Sequence, residues 1–210
     1  MRAIQFKIKG ASRILDLGCG TGWSVAEAEI DGTPIAIGID RDAPALRQAA
    51  LRYPRRSFAA ADGLELPFAD GAFDCVIGHV SMPYMDTRQA LSEIHRVLAL
   101  GGRFYVTLHS FGFVWDRFRY SLSHANWRDC LFMGYVALNG ILNHFGMLQI
   151  QAPWKSRTQT FETFNTRRGA VLSGVHCGFE SVATDYKSRI FFRLSGLRSA
   201  NPGSGIRVSD

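Results

Sequence analysis

ILDLGCGTGW, residues 14–23, sets apolar residues and one acid, Asp16, directly before glycines at every second position, Gly18, Gly20 and Gly22. A short apolar run bounded by glycines reads as a buried strand. Glycines this closely spaced supply turn conformations that a β-carbon resists, and they let backbone approach a ligand. If a helix follows, its first N–H groups favour a negative group at the turn. The stretch therefore predicts a ligand-binding strand-to-helix turn, and its neighbours decide which ligand.

Outward from it, the first hundred residues alternate. RILDL (13–17), TPIAIGID (33–40), RSFAAAD (56–62), FDCVIGHV (73–80) and RFYVTLH (103–109) read as strands. WSVAEAEI (23–30) has helical composition. APALRQAALRYP (43–54) reads as a helix with Asp42 as N-cap and Pro44 in its first turn. Asp86 caps a third through RQALSEIHRVLAL, with Leu91, Ile94, Val97 and Leu98 on one face and Gly101–Gly102 ending it. Nearly all-apolar strands alternating with helices predict an α/β fold, its parallel sheet covered on both faces. A helix over 166–179 and two strands, ESVATDYK and SRIFFRLSG, close the pattern.

The length of 210 residues suits one domain, 1–210, with a substantial core, and 47% hydrophobic content argues against disorder. Four scattered cysteines (Cys19, Cys75, Cys130, Cys177) with no CxxC spacing argue against structural zinc or a disulfide framework. Together with a charged start lacking a long apolar run, they point to the reducing cytoplasm. The net charge of +6 permits a basic patch without requiring one.

Regularity breaks at Ser110. Trp115, Trp127 and Trp154 lie in the next fifty residues, with an apolar stretch, CLFMGYVALNGILNHFGML (130–148). Asn139, Asn143 and His144 interrupt it and Gly134, Gly140 and Gly146 weaken it, so no transmembrane segment is expected. Residues 110–165 read as a helical, aromatic insertion after strand five. It packs on the domain or on a second copy in a homodimer, and serves as a substrate lid; 199–210 reads as a flexible tail.

Ligands of doubly wound sheets bind at the strands' carboxyl ends, where strand order reverses. Dinucleotides and S-adenosylmethionine both use a glycine turn there. The dinucleotide fingerprint needs a third glycine where this chain has Trp23. Asp40, ending the second strand, can accept from ribose hydroxyls, and Asp62, ending the third, from an adenine amino group.

With these features the chain resembles the class I S-adenosylmethionine-dependent methyltransferases, through ILDLGCGTG, GID with Asp40, AADGLELPFADGAFDCVIGH (59–79) and LSEIHRVLALGGRFYV (91–106). The resemblance covers about residues 13–109 and the closing strand pair. It implies a Rossmann-like seven-stranded sheet, mostly parallel with an antiparallel last strand, and methyl transfer from S-adenosylmethionine with S-adenosylhomocysteine as product and no metal. It further implies that Asp16 orders the loop near the methionine ammonium and that Gly18, Cys19, Gly20 and Gly22 line the methionine and ribose. Asp40 would bind the ribose, Arg41, Asp62 and Gly63 the adenine, and His79 would lie near the sulfonium. The family's cofactor-capping N-terminal helices have no counterpart here, which leaves 110–165 to close the site.

Transfer to a protonated acceptor needs a base, and His79, Tyr84 and His109 stand near the strand ends where an acceptor sits. The mildly basic, aromatic insertion fits a small apolar or aromatic acceptor. SMPY (81–84) is faintly similar to a motif of amino-methylating nucleic-acid enzymes, so nucleic acid or protein is the alternative acceptor. The insertion carries no basic stripe of the kind nucleic acid calls for.

Overall fold

The computed structural model describes residues 7–8, 10–24, 29–30, 35–145, 147, 149–150, 162–186 and 188–200. Seven strands form one sheet: β2 (Arg13–Leu17), β4 (Ile35–Asp40), β5 (Ser57–Ala60), β6 (Phe73–His79), β7 (Leu98–His109), β8 (Phe179–Tyr186) and β9 (Phe191–Arg198). Their order is β5-β4-β2-β6-β7-β9-β8. All neighbours pair in parallel except β9, which runs antiparallel to both β7 and β8. The doubly wound sheet with an antiparallel last strand is therefore present.

β2 lies inside the sheet, between β4 and β6, and its alternate residues are buried on opposite faces. Leu15 and Leu17 join the larger core with Val76 and Phe104, while Ile14 joins Ala36, Cys75 and Ile77 on the other face. Two helices cover the larger core. In one (Thr87–Val97), Leu91, Ile94 and Val97 are fully buried, and the Asp86 carboxylate caps it by accepting from the Arg88 and Gln89 amides. The other spans Arg167–His176 and contributes Ala170. In the helix Ala43–Arg52, Asp42 accepts from the Ala45 amide as expected of an N-cap. These three helices are α2, α5 and α1 in chain order; α3 and α4 belong to the insertion.

Several expectations are corrected. The helix after Asp86 stops at Val97 instead of reaching the glycines, because Leu98 already pairs with Phe73 in the sheet. β7 then bulges, advancing from Leu98 to Arg103 while β6 advances from Phe73 to Cys75, and Gly101 takes a φ of +78° there. The expected helix over 23–30 is helical only at Trp23–Ser24 among its described residues. Glu29–Ile30 is a short strand, β3, paired in parallel with β1 (Lys7–Ile8). β5 is an exposed edge strand, not covered on both faces. It stops at Ala60, two residues before Asp62.

In the insertion, Ser110 caps α3 (Phe111–Ser123) and Asn126 caps α4 (Trp127–His144). The two helices share a small core of Val114, Met133, Val136 and Phe164. The asparagines that interrupt the apolar stretch are buried ties to the returning chain. Asn139 donates to the Ile150 carbonyl (2.9 Å), and Asn143 to the Asn165 side chain (2.7 Å). Residues 162–165 cross the sheet's carboxyl end, where Thr163 N–H donates to the Pro83 carbonyl (3.0 Å) and Asn165 N–H to that of His109 (2.7 Å). Trp154 and tail residues 201–210 lie outside the described residues.

Candidate active site

Strand order reverses between β2 and β6, and a cleft of about 350 Å³ opens there at the strands' carboxyl ends. That volume is within the usual span of small-molecule sites. The glycine turn forms one wall. The Gly18 and Cys19 amides both donate to the Ile39 carbonyl (2.8 and 2.9 Å), tying the turn to β4. Gly18 has φ +70°, and a β-carbon there would stand 2.3 Å from that of Ser81. Gly22, also at positive φ, lies against the Phe58 ring and Ala49, so its lack of a side chain serves close packing under the turn.

The Asp40 carboxylate is fixed before any ligand arrives. One oxygen accepts from the Gly20 amide (2.8 Å), the other from that of Asp42 (2.9 Å). A carboxylate has about four acceptor positions, so capacity is left over toward the cleft. Asp62 accepts from the Leu64 amide (2.9 Å) and pairs with Arg41 at 3.4 Å across the rim. Gly63 has no room for a side chain between Leu17 and Met85. Asp16 is fully buried behind the turn and accepts from the Ser24 hydroxyl, joining the end of β2 to the chain after the turn. Cys19 is buried as well, and burial, reinforced by the charges of Asp16 and Asp40, holds its thiol protonated.

At the other end, Val80 follows β6 with φ +59°, a left-handed conformation that a β-branched residue rarely adopts. It turns the chain so that His79, Val80 and Ser81 all line the cleft. The Ser81 hydroxyl donates to the Leu17 carbonyl at 2.5 Å. His79 faces Trp23 with ring centroids 5.7 Å apart, and burial lowers its pKa. Tyr84, in the 3-10 turn Met82–Tyr84, lines the cleft and meets the His109 ring edge-on at 5.7 Å. Its phenol pKa is raised by burial and by nearby Glu162. His109 itself is buried, stacked on Phe113 at 3.8 Å, and pushed down to about 4 by burial and by Arg117.

Of the residues expected at a site, then, Gly18, Asp40, Arg41, Asp62, Gly63, His79 and Tyr84 line the cleft. Asp16, Cys19, Gly22 and His109 are buried outside its lining, and Gly20, half-buried in the turn, does not line it either. Sequence reasoning missed Glu162, only 3% exposed and pushed up to about 7 by burial, with Arg117 opposing that shift. One Glu162 oxygen is buried without a hydrogen-bond partner among the described residues. Arg117 pairs with Asp129 at 3.1 Å. Nothing in the residues around Glu162 signals its burial, which arises from the crossing of 162–165 over the sheet. Among the described residues no cluster of His, Cys, Asp or Glu could hold a metal ion.

Comparison with known proteins agrees with this geometry. Residues 15–106 match the family described as a methyltransferase domain. The demethylmenaquinone methyltransferase of Thermus thermophilus is 42% identical over 113 residues, 50% of this chain and 51% of that protein. The one from Lactiplantibacillus plantarum is 37% identical over 108 residues, 47% of this chain and 46% of that protein. The chain thus spans about half the length of the curated relatives it matches. Among solved structures, the PH0226 protein of Pyrococcus horikoshii OT3 superposes with a TM-score of 0.60 at 18% identity, covering 91% of this chain and 84% of that one. The [4+2]-cyclase SpnF gives 0.61 at 17% identity, covering 94% and 77%, a likeness of fold alone. The strand order, the glycine turn with its pinned aspartate and the family match over residues 15–106 together liken this chain to the class I S-adenosylmethionine-dependent methyltransferases.

Proposed function

We propose that the protein transfers a methyl group from S-adenosylmethionine to a small-molecule acceptor held between the cleft and the α3–α4 insertion. The observation that carries this reading is the Asp40 carboxylate, fixed by two backbone amides and facing a cleft of suitable volume beside the glycine turn. The residues present fit the cofactor. Asp40 has spare acceptor positions for ribose hydroxyls, Asp62 and Arg41 offer paired polar groups for a base edge, and Gly63 lets Leu17 and Met85 pack closely beside them. Gly18, Cys19, Gly20 and Gly22 shape the turn, and Asp16 holds it through Ser24. When bound, the cofactor supplies a methyl group already activated on a sulfonium.

The chain's part is then to orient the acceptor, exclude water and take its proton. Tyr84 and His79 stand at the acceptor end of the cleft, and Glu162 is the reserve of basicity behind Tyr84. A carboxyl that titrates near neutrality suits a proton acceptor at physiological pH. His109, buried and neutral, supports Tyr84 edge-on and acts through it. The names of the relatives favour a quinone-like acceptor, and the aromatic residues under the insertion are consistent with one. The insertion serves as the lid of a single domain.

Calorimetry with S-adenosylmethionine, S-adenosylhomocysteine and NAD in parallel tests the reading. Micromolar binding of the adenosyl ligands and none of NAD is the expected result. Binding of NAD alone would overturn it.

A further inference from the structure

The outer face of the insertion is apolar where a surface helix is ordinarily polar. α4 buries Met133, Val136 and Gly140 on one side. On the other it exposes Trp127, Leu131, Leu138 and Ile141, with Phe145 just beyond, each between 46% and 71% accessible. These positions recur at helical spacing along all 18 residues, a stripe about 27 Å long. α3 exposes Phe111, Trp115 and Leu122 at the same kind of spacing. Where the helices meet, Leu122, Trp127 and Leu131 line one shared groove with Phe118, so the stripes join into a single surface.

The charges beside this surface select its partner. Both acids of α3 and α4 are engaged, Asp116 with Arg189 at 3.1 Å and Asp129 with Arg117 at 3.1 Å. Arg119 and Arg128 form no ion pair among the described residues, and the Arg128 guanidinium lies 5.4 Å from the Trp127 ring centroid. A second copy docked by two-fold symmetry would bring the same patch and the same two cations, with no acid of these helices left to meet them. An anionic lipid surface supplies the missing charge and accepts Trp, Leu and Phe below its headgroups. Among the described residues no helix is long and apolar enough to cross a membrane, so the contact is peripheral.

We propose that the outer face of α3 and α4 docks onto the surface of an anionic phospholipid membrane. The lid then has two working faces, the inner one toward the carboxyl ends of β6 and β7 and the outer one toward lipid. Membrane attachment does not depend on the methyl-transfer reading, and it is measured without cofactor or acceptor.

The test is co-sedimentation of the 210-residue chain with vesicles of phosphatidylcholine alone and of equimolar phosphatidylcholine and phosphatidylglycerol. The expected result is pelleting with the mixed vesicles, with a blue-shifted tryptophan emission, and at least about tenfold weaker partition to phosphatidylcholine alone or at high salt. The double substitution Leu131→Glu with Ile141→Glu changes two exposed side chains. It should leave the circular dichroism and melting of the chain unchanged while weakening partition more than about tenfold. No pelleting with the mixed vesicles at low salt would overturn the proposal, as would a folded double variant that pellets like the parent. A dimer in light scattering that the same variant converts to monomer would assign the face to self-association and overturn it too.

Discussion

Asp40 carries two duties at one side chain: it accepts from the amides of Gly20 and Asp42, and it faces the cleft. Asp40→Ala should therefore weaken S-adenosylmethionine binding by about 1.5–3 kcal/mol, the worth of hydrogen bonds to a charged group, with a small loss of stability from the freed amides. Unchanged affinity by calorimetry in a folded variant would remove Asp40 from the ribose role. Gly18 is constrained twice over, by its φ of +70° and by the 2.3 Å that would separate an added β-carbon from that of Ser81. Gly18→Ala should cost more than about 2 kcal/mol in denaturant unfolding, and adding Ser81→Gly should restore only the steric part. Glu162→Gln keeps the shape of the side chain and removes its titration. With an accepted substrate, kcat should fall by about 10²-fold and lose its rise with pH near 7, while cofactor affinity stays unchanged. A variant retaining the parent's pH profile would place the proton elsewhere. Asp40 and Gly18 were readable beforehand because their roles follow from neighbours in sequence. Glu162 was not, because its burial comes from chain folded over it.

The segment 162–165 couples the insertion to the sheet, pinned by backbone bonds to Pro83 and His109 and by Asn143. Gly140 makes room for it, since a β-carbon there would fall 2.1 Å from the Phe164 ring. Gly140→Ala should push Phe164 out of the α3–α4 core and cost about 1–3 kcal/mol in thermal or denaturant unfolding. If its melting matches the parent's, the contact between α4 and this segment is dispensable. Helix existence and capping were legible in this part of the chain, for Ser110 and Asn126 cap as their side chains allow. Element ends were less so. α2 keeps a helical pattern past Val97, but Leu98 gains a sheet partner in Phe73 that no local propensity announces. Asn139 and Asn143 looked like interruptions of an apolar stretch, yet their amides satisfy backbone and side-chain groups of the returning chain.

Across the molecule, His109 and Glu162 give stability opposite pH dependences. The pKa of His109 falls from 6.5 to about 4 on folding, so the native state binds fewer protons. Its contribution is present above pH 6.5 and is lost as pH falls through 4. The pKa of Glu162 rises from 4.5 to about 7, so its contribution is present below pH 4.5 and is lost as pH rises through 7. Glu162→Gln should therefore raise the melting temperature more at alkaline than at acid pH, by the equivalent of about 2 kcal/mol. His109→Phe should flatten the acid limb by a similar amount. Equal shifts at both ends of the range would show that neither group titrates as its burial requires.

The order of strands and helices, the glycine turn and the acids after it follow from residues close in sequence, because hydrophobic period, capping and left-handed backbone are local properties. For that reason the chain announced its α/β class and the glycine turn that walls its cleft. The packing of the insertion, the withdrawal of His109 behind Tyr84, the burial of Glu162 and the pairing of Leu98 all depend on contacts between distant segments. Burial and charge environment are settled only when those segments meet, and they decide which titratable groups stand where a proton must go.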